Sequence, residues 1–174
     1  MEFVYCIDKN FNNQLSASIY SLLNNIDEGI NITILHDNPE SFIDYKTQLE
    51  RLTFCNQIKI IQIELGETLF PNLNNSHVSK ATYFRLFITQ HIKGDEVLIY
   101  LDADTIVLKN PTILFKKEIN KLSKSKKPIS ACVETDEIHN SDIFERLRLV
   151  STDYFNAGVI LLDNSKFKDY NLTS

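Results

Sequence analysis

Two carboxylates stand two residues apart at the end of an apolar run. Val97 to Leu101 is short enough for a strand buried on both faces, and it leads directly into Asp102-Ala103-Asp104. A turn at Ala103 would bring the two side chains to one point. Ionised carboxylates lose solvation at such a place, and a divalent cation such as Mg²⁺ or Mn²⁺ is the simplest partner for oxygen ligands. The triplet alone is equally consistent with an ordinary turn, in which aspartate is common.

Alternating strand and helix patterns precede this triplet. Apolar residues recur at helical spacing in the first helical segment, at Leu15, Ile19 and Leu22. The predicted strands lie at 3–7, 31–35, 58–65 and 97–101, and the predicted helices at 13–25, 40–52 and 79–92. Strands joined in this way need crossover connections, so we expect an α/β fold with an open, mostly parallel, Rossmann-like sheet and flanking helices.

The pattern continues after the triplet. We expect a short helical turn opened by Asn110-Pro111, strands at 128–133 and 157–162, a helix at 142–149 and the start of another at 165–170. No internal repeat and no Gly/Ser-rich linker interrupts the sequence. It therefore predicts a single domain over residues 1–174.

Several polar residues fall at the carboxyl ends of predicted strands. They are Asp8, Asp102 and Asp104, with His36 or Asp37 as further candidates. In open α/β sheets ligands bind outside these ends, so the recurrence favours a binding site there over a set of unrelated turns.

Composition narrows the class of protein. Hydrophobic residues make up 43% and charged residues 24% of the chain, as in ordinary globular proteins, and the net charge of -5 argues against a nucleic-acid partner. No apolar run reaches the roughly 20 residues of a spanning helix. The sequence enters a strand directly from Met1, and its three cysteines are widely spaced, which favours a cytoplasmic protein without disulfides.

The segment from Leu101 to Ile106 resembles the signature of haloacid-dehalogenase-like phosphatases. In that family the first aspartate is the nucleophile and the second is a general acid. The resemblance covers six residues. It also departs from the family, because several elements precede the motif here and no later acidic pair follows a glycine turn.

A second resemblance covers nearly the whole chain. Four segments in order are similar to the N-terminal, nucleotide-binding part of glycosyltransferase family 8, the retaining group that includes bacterial galactosyl- and glucosyltransferases and glycogenin. The segments are VYCIDKNF from Val4, SKATYFRLF from Ser79, VLIYLDADTIVL from Val97 and YFNAGVILL from Tyr154. The resemblance implies a GT-A type fold and transfer of a hexose from a UDP-sugar to a saccharide or lipo- or polysaccharide acceptor.

The resemblance also implies roles for individual residues. Asp102 and Asp104 would bind Mn²⁺ (or Mg²⁺), and Arg85 would meet the donor sugar or its phosphates, as the arginine fork suits such oxygens. The other implied donor contacts are Cys6, Ile7 and Asp8 at the base, Asn10 near the diphosphate, Lys80 beside Arg85, Ala103 within the triplet, and Asn156 in the sugar pocket. Each of four residues also has an alternative role without ligand binding: Asp8 as a strand-end residue, Arg85 in a surface ion pair, Lys80 as a solvated side chain, and Asn156 as a turn residue.

The chain is shorter than members of that family. The family's late His-x-x-Gly-x-x-Lys element, whose histidine is the third protein ligand of the metal, has no counterpart here, since His36, His77, His91 and His139 carry no such motif. We therefore expect weak metal binding and little activity from this chain alone. It would be a fragment, a truncated product or a non-catalytic nucleotide-sugar-binding module, and an uncovered sheet surface would favour self-association.

A lysine-rich segment follows the triplet. Its lysines at 116, 117, 121, 124, 126 and 127 predict a solvated face or a mobile loop. The sharper alternative is a patch for anionic lipid or polysaccharide, which would make the protein peripheral at the inner face of a membrane.

Overall fold

Six strands form one sheet in the computed structural model of this chain, which describes residues 1–65, 81–94, 96–133 and 155–169. The sheet order is β3-β2-β1-β4-β6-β5. The strands are β1 (Glu2–Ile7), β2 (Ile30–His36), β3 (Cys55–Gln62), β4 (Val97–Leu101), β5 (Ile129–Val133) and β6 (Phe155–Asp163). The first four are parallel, whereas β6 is antiparallel to both β4 and β5. The predicted α/β fold with an open, mostly parallel sheet is confirmed.

Six helices connect these strands within the described residues. They are α1 (Asn12–Asn25), α2 (Ile43–Leu49), α3 (Ala81–Phe84), α4 (Ile88–His91), α5 (Thr112–Lys124) and α6 (Asn164–Asp169), with 3-10 turns at Lys9–Phe11, Pro39–Phe42 and Arg85–Phe87. No helix in these ranges is long and apolar enough to cross a bilayer.

The central strands are apolar throughout because helices cover both faces of the sheet. Successive residues of β1 point to opposite sides. Phe3 and Tyr5 belong to the core beneath α1 and α5, while Val4 and Cys6 belong to the core beneath α3 and α4. A strand buried in this way needs no polar alternation, which explains the continuous run that ends at Leu101.

Several element boundaries differ from the predicted ones. Strand β3 begins three residues before the predicted start and ends at Gln62. The helix predicted over 79–92 is broken by the 3-10 turn at Arg85–Phe87, and Leu86 within this turn is exposed. A three-residue turn changes the helical period, which periodicity alone does not reveal. The predicted helix at 142–149 lies outside the described residues.

The lysine-rich segment takes mainly the first of its two predicted forms, a solvated face. A single helix, α5, takes in both the predicted helical turn after Pro111 and most of the lysines. The inner side of this helix packs Phe115, Ile119 and Leu122 against the core that contains Phe3. Lys116, Lys117, Lys121 and Lys124 are therefore exposed on a helix, whereas Lys126 and Lys127 follow its end.

Candidate functional site

A cleft of about 240 Å³ opens at the carboxyl ends of β1 and β4, which are neighbours in the sheet. Parallel strands end at the same edge, and loops leaving adjacent strands form a crevice there. The residues that line it are Cys6, Ile7, Phe11, Ala81, Thr82, Arg85, Asp102, Ala103 and Asp104. The two segments expected to form a site, one after β1 and one after β4, thus meet in one cleft.

Arg85 joins three parts of the chain at this cleft. One terminal nitrogen, Nη2, donates to Asp102 Oδ1 at 3.0 Å, and the other, Nη1, donates to the carbonyl of Ala157 at 3.1 Å. Its Nε donates to the carbonyl of Thr82, and the guanidinium carbon lies 4.9 Å from the centre of the Tyr100 ring. The fork is thereby fixed in one orientation, which is the advantage of arginine over lysine at such a position.

Tyr100 also contacts the Asp102 carboxylate. Its hydroxyl donates a hydrogen bond to Asp102 Oδ1, so this oxygen accepts from two donors. Burial raises the pKa of Tyr100, and the hydroxyl stays protonated as a donor. Burial likewise raises the pKa of the Cys6 thiol, which makes Cys6 an apolar wall of the cleft and a poor nucleophile.

The turn that carries the two carboxylates is anchored to the rest of the fold. The backbone N–H and the hydroxyl of Thr105 both donate to the carbonyl of Asp102, at 3.2 and 2.8 Å. The Thr105 hydroxyl also lies 3.1 Å from the Ser18 hydroxyl on α1. These contacts close a tight turn at Ala103, and they leave Asp104 exposed at the mouth of the cleft.

Strand β6 approaches Asp102 closely because residue 158 is glycine. The N–H of Asp102 donates to the carbonyl of Gly158 at 2.8 Å. A Cβ at position 158 would lie 3.1 Å from Asp102 Oδ2 and 3.0 Å from Asn156 Oδ1. The Asn156 side chain accepts the N–H of Gly158 at 2.7 Å. The glycine therefore keeps space free at the second carboxylate oxygen of Asp102.

Asp102 and Asp104 form a donor set that fits a hard divalent cation in part. Both side chains offer oxygen, and Oδ2 of Asp102 makes no hydrogen bond within the described residues, whereas Oδ1 is occupied by Arg85 and Tyr100. Two carboxylates from one turn match the chemistry of Mg²⁺ or Mn²⁺. No cluster of three histidine, cysteine or acidic side chains that could hold a metal occurs in the described part of the chain.

Three further residues singled out from the sequence, Asp8, Asn10 and Asn156, do not line the cleft. Asp8 caps the 3-10 turn after β1, accepting the N–H of Asn10 at 2.9 Å. Asn10 and Asn156 are exposed. Arg85 does form an ion pair, as the alternative interpretation from the sequence expected, but its partner is Asp102, a carboxylate that lines the cleft. Lys80 and His77 lie outside the described residues.

The candidates at the end of β2 have structural contacts instead. His36 is fully buried and bonded through Nε2 to Asn12 Oδ1 at 2.9 Å. Asp37 accepts the N–H of Lys9 at 2.9 Å. Neither residue lines the cleft. The prediction that polar residues at the carboxyl ends of strands form the site therefore holds for β1 and β4 and not for β2.

Four side chains of the site were missed from the sequence. Phe11, Ala81 and Thr82 line the cleft, and Tyr100 supports Asp102 from beneath. A signal existed for Tyr100, because residues two apart along a strand share a face and Tyr100 precedes Asp102 by two. Thr82 precedes Arg85 by three, one helical turn, which is a comparable but weaker signal.

Comparison with known proteins gives a match along almost the whole sequence. The model of the family described as "Glycosyl transferase family 8" matches residues 2–174. This extent contrasts with the six residues that resemble the phosphatase signature. The match favours the second of the two resemblances drawn from the sequence.

Named relatives agree with the family match. General stress protein A of Bacillus subtilis is 26% identical over 99% of this chain, and the lipopolysaccharide 1,2-glucosyltransferase of Escherichia coli is 28% identical over 99%. The chain spans 59% and 50% of these two relatives, respectively. A crystal structure of galactosyltransferase LgtC with donor and acceptor sugar analogs superposes with a TM-score of 0.80 at 22% identity, over 99% of this chain and 61% of that one. This last likeness establishes the GT-A type fold.

Proposed function

This chain belongs to glycosyl transferase family 8, and we propose that it forms the donor-binding part of an enzyme that transfers a hexose from a UDP-sugar. The acceptor would be a saccharide, lipo-oligosaccharide or polysaccharide, and the anomeric configuration would be retained. The chain spans about half the length of curated relatives that it matches, and the cleft at β1 and β4 would account for the donor side of the reaction only.

The single observation that carries the proposal is the position of Arg85. A guanidinium fixed by Asp102 and the Ala157 carbonyl stands at the wall of a cleft large enough for part of a nucleotide sugar. A nucleoside diphosphate leaves with negative charge that a preorganised cation stabilises. The Arg85 side chain is 23% exposed there, and it would contact a bound sugar or phosphate.

Asp102 and Asp104 would hold a divalent cation, Mn²⁺ or Mg²⁺, with Asp102 contributing Oδ2, the oxygen that accepts no hydrogen bond from a described residue. When bound, the ion would act as a Lewis acid on the diphosphate. Two protein carboxylates without a third described ligand predict weak retention of metal by the chain alone.

The remaining residues would shape the donor pocket. The walls formed by Cys6 and Ile7 suit the flat face of a base, and Asp8, at the end of the same strand, would accept a hydrogen bond from uracil. Asn10 would lie near the diphosphate, Ala103 would let the backbone approach the ligand, and Lys80 would assist Arg85. Asn156, held next to Gly158, would contact the donor sugar, and together with Arg85 it would serve the transfer step.

The test is a calorimetric titration of the chain with UDP, with and without Mn²⁺. We expect metal-dependent binding that is lost in an Asp102→Ala/Asp104→Ala double variant. Asp44→Ala is the matched control, since this exposed carboxylate lies on α2 away from the cleft. Binding that is unchanged in the double variant would reject the proposed site.

The alternative in this family is a nucleotide-sugar-binding module that does not transfer sugar. The observation behind it is the pair of carboxylates without a third described ligand. The two roles differ in one measurement: release of UDP from UDP-glucose or UDP-galactose in the presence of a glycan acceptor. We expect little release by this chain alone. Self-association and a cytoplasmic location remain predictions, which sizing in solution and cell fractionation would test.

A further inference from the structure

The basic residues of this acidic protein are concentrated in one stretch. Positions 109–127 hold seven lysines and one glutamate, whereas the whole chain has 18 basic and 23 acidic residues. The rest of the chain therefore carries twice as many acidic as basic side chains. Such a division marks an electrostatic feature with a preferred partner of negative charge.

Three of these lysines lie on one face of helix α5. At 100° per residue, Ile113, Leu114, Lys117, Lys121 and Lys124 fall within an arc of about 100°. All five are exposed. The opposite side holds Phe115, Ile119 and Leu122, which pack into the core. The helix thus has an apolar side that packs against the core and a solvent-facing side that carries both aliphatic side chains and lysines.

Aliphatic side chains accompany the lysines. Leu108, Ile113 and Leu114 are 81%, 84% and 59% exposed, the highest values among large apolar side chains in the described ranges. They lie within seven positions of one another, at and just before the start of α5. Exposed aliphatics that adjoin lysines are typical of surfaces that meet another apolar phase.

Most of the ammonium groups in this region are also unpaired. Within the part of the chain that the structure describes, Lys116 pairs with Glu28 and Lys121 with Glu118. The other five form no ion pair there: Lys109, Lys117, Lys124, Lys126 and Lys127. These charges are available to an external anion.

We propose that this surface, the α5 face, docks onto the surface of an anionic phospholipid bilayer. We define the α5 face as the five exposed side chains that share one arc of the helix: Ile113, Leu114, Lys117, Lys121 and Lys124. Leu108 and Lys109 precede this helix in the sequence, and Lys126 and Lys127 follow it. The aliphatic side chains enter the boundary between headgroups and acyl chains, and the ammonium groups bind lipid phosphates. A lysine stem lies along the apolar boundary while its charge stays at the headgroups.

A bilayer fits this surface better than a soluble polyanion does. A polysaccharide or nucleic acid offers no apolar phase for Leu108, Ile113 and Leu114. A bilayer also touches one face only, and the carboxylates of Glu28 and Glu118 next to α5 are each paired with one of its lysines.

The location of α5 is compatible with an open donor cleft. Lys116 and Ile119 line a depression shared with Met1, Glu2 and Val97, at the amino-terminal ends of β1 and β4. The cleft with Asp102 lies at the opposite ends of the same strands. Docking through α5 therefore leaves that cleft accessible from the aqueous side.

The experiment is flotation of the chain with vesicles that contain phosphatidylglycerol, against vesicles of phosphatidylcholine alone. We expect binding to the first that weakens with added salt, and little binding to the second. Lys117→Gln/Lys124→Gln should lower the partition coefficient by about fivefold per lysine. Ile113→Ser/Leu114→Ser should lower it further while leaving the salt dependence in place.

Matched controls separate this surface from general charge and apolarity. Lys59→Gln removes an exposed lysine and Ile43→Ser an exposed aliphatic side chain elsewhere, and neither should change binding. Circular dichroism and sizing of each variant check that it is folded. The proposal is overturned by equal binding to both vesicle types, or by controls as damaging as the α5 variants. It is also overturned if the chain does not bind anionic vesicles, whether or not it binds a second copy of itself or a soluble anionic polysaccharide.

Discussion

The hydroxyl of Tyr100 and the guanidinium of Arg85 donate to the same oxygen of one carboxylate, Asp102 Oδ1. Their ring and cation also stack, with the guanidinium carbon 4.9 Å from the ring centre. Both donors hold the Asp102 side chain in one rotamer. Its other oxygen, Oδ2, accepts no hydrogen bond from the residues that the structure describes. A ligand would therefore meet an aspartate that is already oriented, which lowers the cost of ordering it on binding.

Removing the Tyr100 hydroxyl should weaken donor binding without unfolding the protein. Tyr100→Phe keeps the ring beneath Arg85 but deletes one hydrogen bond to a charged acceptor, a bond worth about 1.5–3 kcal/mol. We expect UDP affinity in the presence of Mn²⁺ to fall at least about tenfold, measured by calorimetry. Tyr20→Phe is the control, because Tyr20 is exposed on α1 away from the cleft. Equal affinities for wild type and Tyr100→Phe would show that Arg85 alone orients Asp102.

A methyl group at position 158 should impair binding more than folding. In Gly158→Ala the new Cβ would meet Asp102 Oδ2 at 3.1 Å and Asn156 Oδ1 at 3.0 Å, so both side chains must shift by a few tenths of an ångström. Overpacking of this kind costs about 1–3 kcal/mol of stability. We expect metal-dependent UDP binding to be lost while thermal unfolding stays cooperative with a modestly lower Tm. Full binding in a variant with reduced Tm would mean that Asp102 Oδ2 is not used.

The sequence predicts the strands of this site better than it predicts their contacts. The apolar runs of β1 and β4 identify both as buried strands, and Asp102 follows from the end of such a run. The bond between Arg85 and the Ala157 carbonyl joins residues 72 apart and depends on β6 running antiparallel to β4. No local pattern encodes that direction. The resemblance to a family linked the segments of Arg85, Asp102 and Asn156, but the residues alone did not.

Helix periodicity failed where the helix is irregular. The turn at Arg85–Phe87 has 3-10 geometry and separates α3 from α4, which rotates Leu86 outward. The same irregularity lies next to Arg85, at the wall of the cleft. Local departures from regular geometry are expected to cluster at functional positions, and they are the features that propensity rules miss.

Asp163 and Lys166 fasten the last described helix to the end of α5. Asp163, almost fully buried, accepts from the Ser165 hydroxyl and the Lys166 N–H, and it pairs with the Lys166 ammonium at 2.7 Å. That ammonium also donates to the carbonyls of Leu122 and Ser123, at the C-terminal end of α5. One ion pair thus satisfies the ends of two helices.

Neutralising this carboxylate should destabilise the fold. Asp163→Asn leaves the Lys166 ammonium without its partner, and we expect a loss of about 1–3 kcal/mol in the free energy of unfolding, measured by urea denaturation. Burial alone would raise the pKa of Asp163, but the bonds from Lys166 and Ser165 outweigh it and hold the pKa below its ordinary value of 3.8. The contribution is therefore present above that value and is lost as the pH falls through the folded-state pKa. Asp169→Asn, an exposed change on the same helix, should have little effect.

His36 should make the stability of the protein depend on mild acidification. Asn12 donates through Nδ2 to Ser41, so its Oδ1 must accept from His36 Nε2, and the Asn38 N–H donates to His36 Nδ1 at 2.8 Å. Both ring nitrogens are therefore used by the neutral ring. Burial lowers the pKa of His36 below its ordinary value of 6.5, although the nearby carboxylates of Asp37 and Asp8 raise it in part.

The sign of this effect follows from the lowered pKa. Below about pH 6.5 the imidazole of the unfolded chain is protonated, whereas the buried ring of the folded protein is still neutral. The free energy of unfolding therefore decreases as the pH is lowered, by up to about 1.4 kcal/mol per pH unit, until the pH reaches the folded-state pKa. We expect urea denaturation at about pH 5.5 and pH 7.5 to show this slope, and His36→Gln to reduce it while lowering stability at both values. His91→Gln, a change outside the buried network, should keep the slope of the wild type. His36→Gln removes the imidazole that Asn12 and Asn38 hold neutral. If this variant kept the wild-type dependence of unfolding free energy on pH, the acid sensitivity would belong to other groups.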